Sequence, residues 1–198
     1  LASSAASDVY KRQTFGRLAV VGKNVGFTGV LTVFSLLAAP YMAYVAVSSY
    51  VYVQYFGLSE QVYSYFFAAN SFFAVVGPFL YMKLIGIVSP RQFTYGCFIF
   101  TVVAAAALLT VGSISPWWFL IAFLPVTIME SAARPFSTAI LLDQQKTDIG
   151  SASSLINAVN TVFGSLGMML GALNWSNFIE GLGIITAVCV TLAIAGWL

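Results

Sequence analysis

Long apolar stretches separated by short polar breaks dominate the 198-residue sequence. A helix that spans a membrane needs about 20 mostly apolar residues, and six stretches meet or approach this length. Their predicted bounds are residues 27–52, 62–87, 92–111, 117–142, 151–173 and 182–198. The breaks between them carry Gly, Ser, Pro and Asn, which is typical of turns. No break is long enough to separate two domains, so the pattern predicts one all-α bundle of six transmembrane helices.

The segment 1–26 in front of the first stretch is polar and basic. It begins LASSAASDVYKRQ, which is too polar for the apolar part of a signal peptide. We interpret its first residues as a disordered tail or as residues left by cloning or assembly.

Composition supports a membrane protein and disfavours several other classes. Hydrophobic residues make up 60% of the chain and charged residues 7%, against about 25% charged residues in soluble domains. The net charge of +2 gives no argument for binding nucleic acid. There is no His, which is the commonest general base and metal ligand, and no phosphate-binding glycine motif. Cys97 and Cys189 lie in separate apolar stretches and are expected to be buried thiols. We therefore expect no enzyme, no cofactor and no metal.

Among the breaks between the apolar stretches, only the second and the fourth carry basic residues. Lys83 and Arg91 flank the second break and Lys146 lies in the fourth, whereas the first, third and fifth contain only the acidic Glu60 and Glu180. Further basic residues precede the first stretch: Lys11, Arg12, Arg17 and Lys23. Because Lys and Arg are enriched on the cytoplasmic side of membrane proteins, the pattern predicts a multi-pass protein of the plasma or inner membrane with its N-terminus in the cytoplasm.

The fourth stretch contains an acid and a base, Glu130 and Arg134. Their i, i+4 spacing, with Glu first, allows them to pair on one helix face. At the helical rise, Glu130 lies roughly 18 Å beyond Trp118, just past the middle of a ~30 Å apolar core. A charge at this depth normally faces the protein interior or a water-filled cavity. Three interpretations stay open: a neutralised pair that fixes helix packing near the cytoplasmic end, a group on the path of a substrate or of protons, or an Arg134 side chain that extends toward the inner membrane surface.

Polar residues in the other stretches are candidates for a substrate path. Ser153, Asn157, Asn160 and Gly164 recur at helical spacing and predict an inward-facing stripe, and Gly167-x-x-x-Gly171 extends it as a close-packing surface. A cavity lined by Tyr, Phe and Asn would suit an amphipathic, partly aromatic ligand. The path candidates are Tyr41, Tyr44, Ser48, Asn70, Asn157 and Asn160. The alternative for each is ordinary helix packing.

Three segments resemble a known family of transporters. The sequence GPFLYMKLIGIVSPR from Gly77 to Arg91 resembles the second-half copy of the loop motif of the major facilitator superfamily, with Gly77, Lys83 and Arg91 as its cytoplasmic loop residues. The segment from Pro135 to Leu155, which ends GSASSL, resembles the tenth and eleventh helices of drug–proton antiporters of the Bcr/CflA type. FGLSEQVYSYFFAANS resembles their seventh-to-eighth helix junction.

The resemblance implies the C-terminal half of a twelve-helix transporter, with segment 1–26 as the end of a central cytoplasmic loop. It implies proton-coupled efflux of small drug-like or amphipathic molecules by alternating access, with a missing N-terminal six-helix half, the lipid bilayer, a small-molecule substrate and protons as partners. Two features depart from the family. No acidic residue lies between Gly77 and Lys83, and Arg134 directly before Pro135 is not part of the general pattern.

A second class of function explains the same residues. In a non-transporting membrane scaffold or assembly subunit, the polar stripes would serve helix packing alone. An upstream sequence that encodes six more helices with a membrane carboxylate would favour the transporter. An intramembrane enzyme is disfavoured, because the chain has no His and Glu130 is paired by spacing with Arg134.

Overall fold

The computed structural model describes residues 20–144 and 149–198. Within these ranges there are six helices long and apolar enough to cross a membrane, and no strand. The helices are α1 (Val25–Ser49), α2 (Glu60–Leu84), α3 (Pro90–Thr110), α4 (Pro116–Asp143), α5 (Ile149–Gly171) and α6 (Phe178–Trp197). The predicted all-α bundle of six membrane helices is confirmed. Lys11, Arg12, Arg17 and Lys146 lie outside the described residues.

Helix starts lie ahead of the apolar residues because polar caps precede them. The side chains of Ser59, Ser89, Ser115 and Asn177 each accept a hydrogen bond from a backbone N–H of the first turn, which satisfies a donor that has no partner inside the helix. As a result α6 begins at Phe178, four residues earlier than its apolar pattern predicts. The C-terminal end of α1 continues into a π-helical segment, Tyr50–Tyr55, which extends beyond the predicted end of the first stretch at residue 52.

The bundle is arranged around α1 and α4, which pack against each other. Helix α5 lies along α1, and α2 lies along α4. Helices α3 and α6 pack together and also contact α4 and α1, respectively. Burial is greatest in the two central helices. In an apolar segment of 18 residues from each helix, 61% is buried in α4 and in α1 with its π-helical continuation, but only 17% in α2 and 22% in α5. The two flanking helices therefore keep most of their surface exposed in this chain.

Aromatic side chains fill the core near the end of α1 that continues into the π-helix. Tyr44 stacks on Phe123 with ring centroids 4.3 Å apart, and Tyr52 stacks on Phe66 at 4.8 Å. Phe119 packs against both tyrosines. The contacts join α1, α2 and α4, so they fix the distances between three helices at one end of the bundle.

Glycines allow α5 to approach α1 closely. A side-chain carbon at Gly167 would collide with the carbonyl oxygen of Ala39, and one at Gly171 would lie 3.0 Å from the carbonyl oxygen of Ala43. Ala39 and Ala43 are four residues apart in α1, as Gly167 and Gly171 are in α5. Each glycine therefore lies opposite one alanine, and the two helices approach closely at both positions. The predicted close-packing role of Gly167 and Gly171 is consistent with this contact.

We predict that Gly167→Ala destabilises the bundle although alanine favours helices. The new methyl group meets backbone rather than a movable side chain, so α5 must move away from α1, at a cost of ~1–3 kcal/mol. Thermal unfolding in detergent should show a lower midpoint. The matched control is Gly96→Ala in α3, where an added carbon has no neighbour within 4 Å. Equal midpoints for the two variants would contradict the contact.

Candidate functional site

The ion pair predicted in the fourth apolar stretch is present in α4. The Nε of Arg134 donates a hydrogen bond to Oε1 of Glu130. Glu130 lies about 20 Å from either end of the 28-residue helix. Both side chains are thus at membrane depth, where an unpaired charge is expensive. Their pairing on one helix explains how this chain tolerates them there.

The two members of the pair differ in exposure. The side chain of Glu130 is 5% exposed, whereas that of Arg134 is 53% exposed. The carboxylate therefore lies inside the bundle and the guanidinium extends from it toward the surface. The accessible charge at this depth of the bundle is positive, although the pair as a whole is neutral.

A narrow crevice between α1, α4 and α5 surrounds the pair. Its walls include Glu130 and Arg134 from α4 and Asn160 from α5, together with apolar and small residues: Phe34, Leu37, Ala38, Ala133 and Ser137. The crevice volume is about 20 Å³, which is room for about one water-sized group. The Oδ1 of Asn160 accepts a hydrogen bond of 2.7 Å from Ser35 of α1. This bond fixes the amide beside the charged pair.

Two further path candidates lie near the crevice. Tyr41 of α1 is half-buried and lies within electrostatic reach of both Glu130 and Arg134. Asn157 is exposed and lies one helical turn before Asn160. The structure thus brings residues from three helices together, and we call the surface formed by Tyr41, Arg134, Asn157 and Asn160 the open face.

Helix α5 also carries an exposed polar stripe. Its members are Ser154, Asn157, Thr161 and Ser165. They follow one another at intervals of three or four residues, so they share one side of the helix. The hydroxyls of Ser154 and Thr161 donate to backbone carbonyls of α5 at 2.9 and 2.8 Å. Lipid offers no hydrogen bonds to the side chains of Asn157 and Ser165, which are therefore expected to face water or other protein.

The remaining path candidates are packed inside the bundle. Tyr44 is fully buried in the aromatic core. The buried hydroxyl of Ser48 lies 3.2 Å from the hydroxyl of Tyr63. Asn70 of α2 is buried and accepts a hydrogen bond of 2.8 Å from Thr127 of α4. In this conformation these three side chains contact neighbouring helices.

The loop-motif residues occupy different environments. Gly77 lies inside α2, within the predicted range 62–87, and is buried against α4. A side-chain carbon there would meet the backbone oxygen of Ile128 at 2.6 Å and collide with the hydroxyl of Ser131. Lys83 is exposed in the last turn of α2, and Arg91 is exposed in the first turn of α3. Between them Gly86 has a φ of +80°, a conformation that favours glycine.

Sequence reasoning missed Ser35 and Ser131. Ser35 lies among apolar residues and Ser131 directly follows Glu130; a serine inside a helix usually bonds to its own backbone. Ser131 does so, since its hydroxyl donates to the carbonyl of Thr127 at 2.8 Å. Ser35 instead donates across to Asn160. Both serines are followed by two alanines and a proline within five residues. Nothing in the sequence therefore indicates that Ser35 bonds to another helix while Ser131 bonds to its own.

Comparisons with known proteins place the chain near one class of transporter. It is 26% identical over 180 residues to the uncharacterized MFS-type transporter YdgK of Bacillus subtilis (strain 168), and the match covers 88% of this chain and 44% of the relative. The chain therefore spans less than half the length of that relative. No family model matches, and no solved structure matches. The likeness supports a half-domain of a major facilitator transporter and a multi-pass membrane protein.

A double-mutant cycle tests the ion pair. Arg134→Gln leaves a buried carboxylate without its partner, and we expect a loss of ~3 kcal/mol or more in unfolding free energy. Glu130→Gln leaves a half-exposed guanidinium and should cost less. The double variant should cost less than the sum of the two single changes, because the interaction is lost only once.

The readout is the unfolding midpoint in detergent together with membrane abundance. Strictly additive losses would contradict the ion pair. If the pair serves packing alone, the double variant should recover both abundance and transport. A double variant that is abundant but insensitive to a proton gradient would assign proton movement to Glu130.

Proposed function

We propose that this chain is one six-helix half of a secondary active transporter that moves small molecules across the cell membrane by alternating access. The observation that carries the proposal is the half-exposed Arg134 on the open face, which pairs with buried Glu130 and lies about 14 Å from the nearer end of α4. A charge at that depth requires protein or a water-filled cavity next to it. A substrate path closed by a second bundle provides both.

The second half is expected to cover α2 and α5. These flanking helices have the least buried surface of the six, and α5 carries the polar stripe described above. A matching six-helix bundle would give the side chains of Asn157 and Ser165 in this stripe hydrogen-bonding partners and would enclose the open face between two walls. The length of the MFS-type relative, of which the match covers 44%, is compatible with such a second half.

In its finer form the proposal is proton-driven efflux of drug-like or amphipathic molecules. It rests on the resemblance to drug–proton antiporters of the Bcr/CflA type in the Gly77–Arg91 and Pro135–Leu155 segments. Tyr41, Asn160 and the crevice residues Phe34 and Leu37 combine polar and apolar groups, so the body of such a ligand would lie on the open face and not inside the crevice. The proton-carrying carboxylate is assigned to the second half, and Glu130 is assigned to holding Arg134.

The proposed orientation places the break between α2 and α3 in the cytoplasm and the break between α5 and α6 outside. Lys83 and Arg91 are exposed at the first of these ends, and Glu180 is exposed at the second. This distribution follows the enrichment of basic residues on the cytoplasmic side.

Cysteine labelling on intact cells tests the orientation. A membrane-impermeant maleimide should label Glu180→Cys without further treatment and should label Arg91→Cys only after the cells are permeabilised. The two native cysteines are buried and contribute little background. The opposite labelling order would overturn the orientation and with it the cytoplasmic assignment of the loop motif.

Transport assays test the function. We expect the full-length protein in proteoliposomes with an imposed proton gradient to move members of a dye panel that includes rhodamine 6G and fluorescein. Asn157→Leu should change the preference among dyes while membrane abundance stays near normal, because Asn157 is exposed on the open face. Asn160→Leu should change the preference as well, with some loss of abundance because it removes the hydrogen bond from buried Ser35. Residues 1–198 alone should not transport, since an alternating-access site needs two walls.

The matched control is the same substitution at Asn70, which bonds to Thr127 inside the bundle. Asn70→Leu should lower abundance and leave the dye preference unchanged. Equal losses of abundance and activity for all three variants would favour a scaffold with packing stripes. Efflux by residues 1–198 alone would refute the half-transporter proposal.

A further inference from the structure

Arg134 uses only one of its three guanidinium nitrogens in the pair. Nε bonds to Glu130, and no described residue bonds to the two terminal nitrogens. The side chain is 53% exposed, so these nitrogens are accessible from the open face. A guanidinium presents its donors in a planar fork that matches carboxylate and phosphate oxygens. The free part of that fork is therefore a binding group for an anion.

The exposure of the pair decides which charge a ligand can reach. The carboxylate of Glu130 is 5% exposed, and its Oε1 is already bonded to Arg134. A cationic ligand would have to displace Arg134 and enter the bundle. An anionic ligand meets the guanidinium first and needs no such displacement.

The crevice sets the size of the group that enters. Its volume of about 20 Å³ admits a group about as large as one water molecule. An ionised oxygen fits this space, whereas an aromatic ring does not. The amide of Asn160 lines the same crevice, and its Oδ1 is bonded to Ser35, so its NH₂ group is the part left to donate. The apolar remainder of a ligand would lie outside, on the open face.

From this geometry we propose that Arg134 and Asn160 form the anion subsite of the substrate path, and that the transported class is amphipathic organic anions that carry a carboxylate or similar group. Glu130 is a positioning residue that holds the guanidinium in place. The inference rests on the proposed function and names its substrate class. A lipid headgroup offers similar chemistry, but Arg134 lies about 14 Å from the nearer end of α4, deeper than the headgroup level.

Three probes with one ring and different charge test the subsite: benzoate, benzamide and benzylamine. Binding is measured on the purified full-length protein in detergent by calorimetry. We expect benzoate to bind at least about tenfold more tightly than benzamide, the range for a hydrogen bond to a charged group, and benzylamine to bind no better than benzamide. Benzylamine as the tightest ligand, or equal affinities for all three, would overturn the proposal.

Substitutions test whether the preference for benzoate depends on Arg134. Arg134→Gln should abolish the preference for benzoate, and Arg134→Lys should restore part of it. The variant with both Glu130→Gln and Arg134→Gln removes the unpaired buried carboxylate, so it keeps the test valid where Arg134→Gln does not fold. Lys83→Gln is the control for charge, because it removes a cation that is exposed at the end of α2, and it should keep the preference. A benzoate preference that survives the double variant would overturn the proposal.

Two further measurements distinguish a lipid headgroup from a transported anion, and the anion subsite from the proposed transport function. In the first measurement, each lipid competes with benzoate for binding. If phosphatidylglycerol displaces benzoate, phosphatidylcholine does not, and the displacement depends on Arg134, the subsite binds a lipid and the proposed substrate class is overturned. Counterflow of the same probes in proteoliposomes tests transport separately. Arg134-dependent binding of benzoate without counterflow of any probe would uphold the anion subsite and refute the proposed function. Counterflow of benzylamine or benzamide alone would uphold transport and refute the anion class.

Discussion

A charged pair at the middle of a membrane helix is stable only where lipid cannot reach it, and much of this structure depends on that constraint. Glu130 meets it by lying inside the bundle, but Arg134 is half exposed. This exposure is the reason why we propose water or further protein beside the guanidinium. Helix α5 has the same requirement, because its exposed polar stripe also favours contact with water or protein over contact with lipid. Both features give the open face a role that a lipid-facing surface could not have.

Glycine contacts attach the two flanking helices to the central ones. Gly167 brings α5 onto the backbone of α1, and Gly77 brings α2 onto the backbone of α4. In lipid, helices gain little from apolar burial, so close backbone approach and van der Waals contact hold them together. The crevice around Arg134 lies between α1, α4 and α5. Its width therefore depends on a glycine contact that includes neither charged residue.

Two asparagines show how environment separates packing from a site. Asn70 and Asn160 both accept a hydrogen bond from a hydroxyl on a neighbouring helix. Asn70 is 1% exposed and joins α2 to α4 within the core. Asn160 is half-buried beside two charges at an opening to the surface. The chemistry of the contact is the same, and only the position of the pair in the bundle gives Asn160 access to a ligand.

The sequence by itself determined the six membrane helices and the ion pair, because hydrophobic length and i, i+4 spacing act within single helices. It also indicated the close-packing glycines. Only the tertiary structure decided that Tyr44, Ser48 and Asn70 are packed inside, that Gly77 lies in a helix contact, and that Asn160 joins Glu130 and Arg134. Helical periodicity defines the face on which a side chain lies, but not which helix covers that face. That choice depends on packing between distant segments, which is where the difference in exposure between Glu130 and Arg134 also arises.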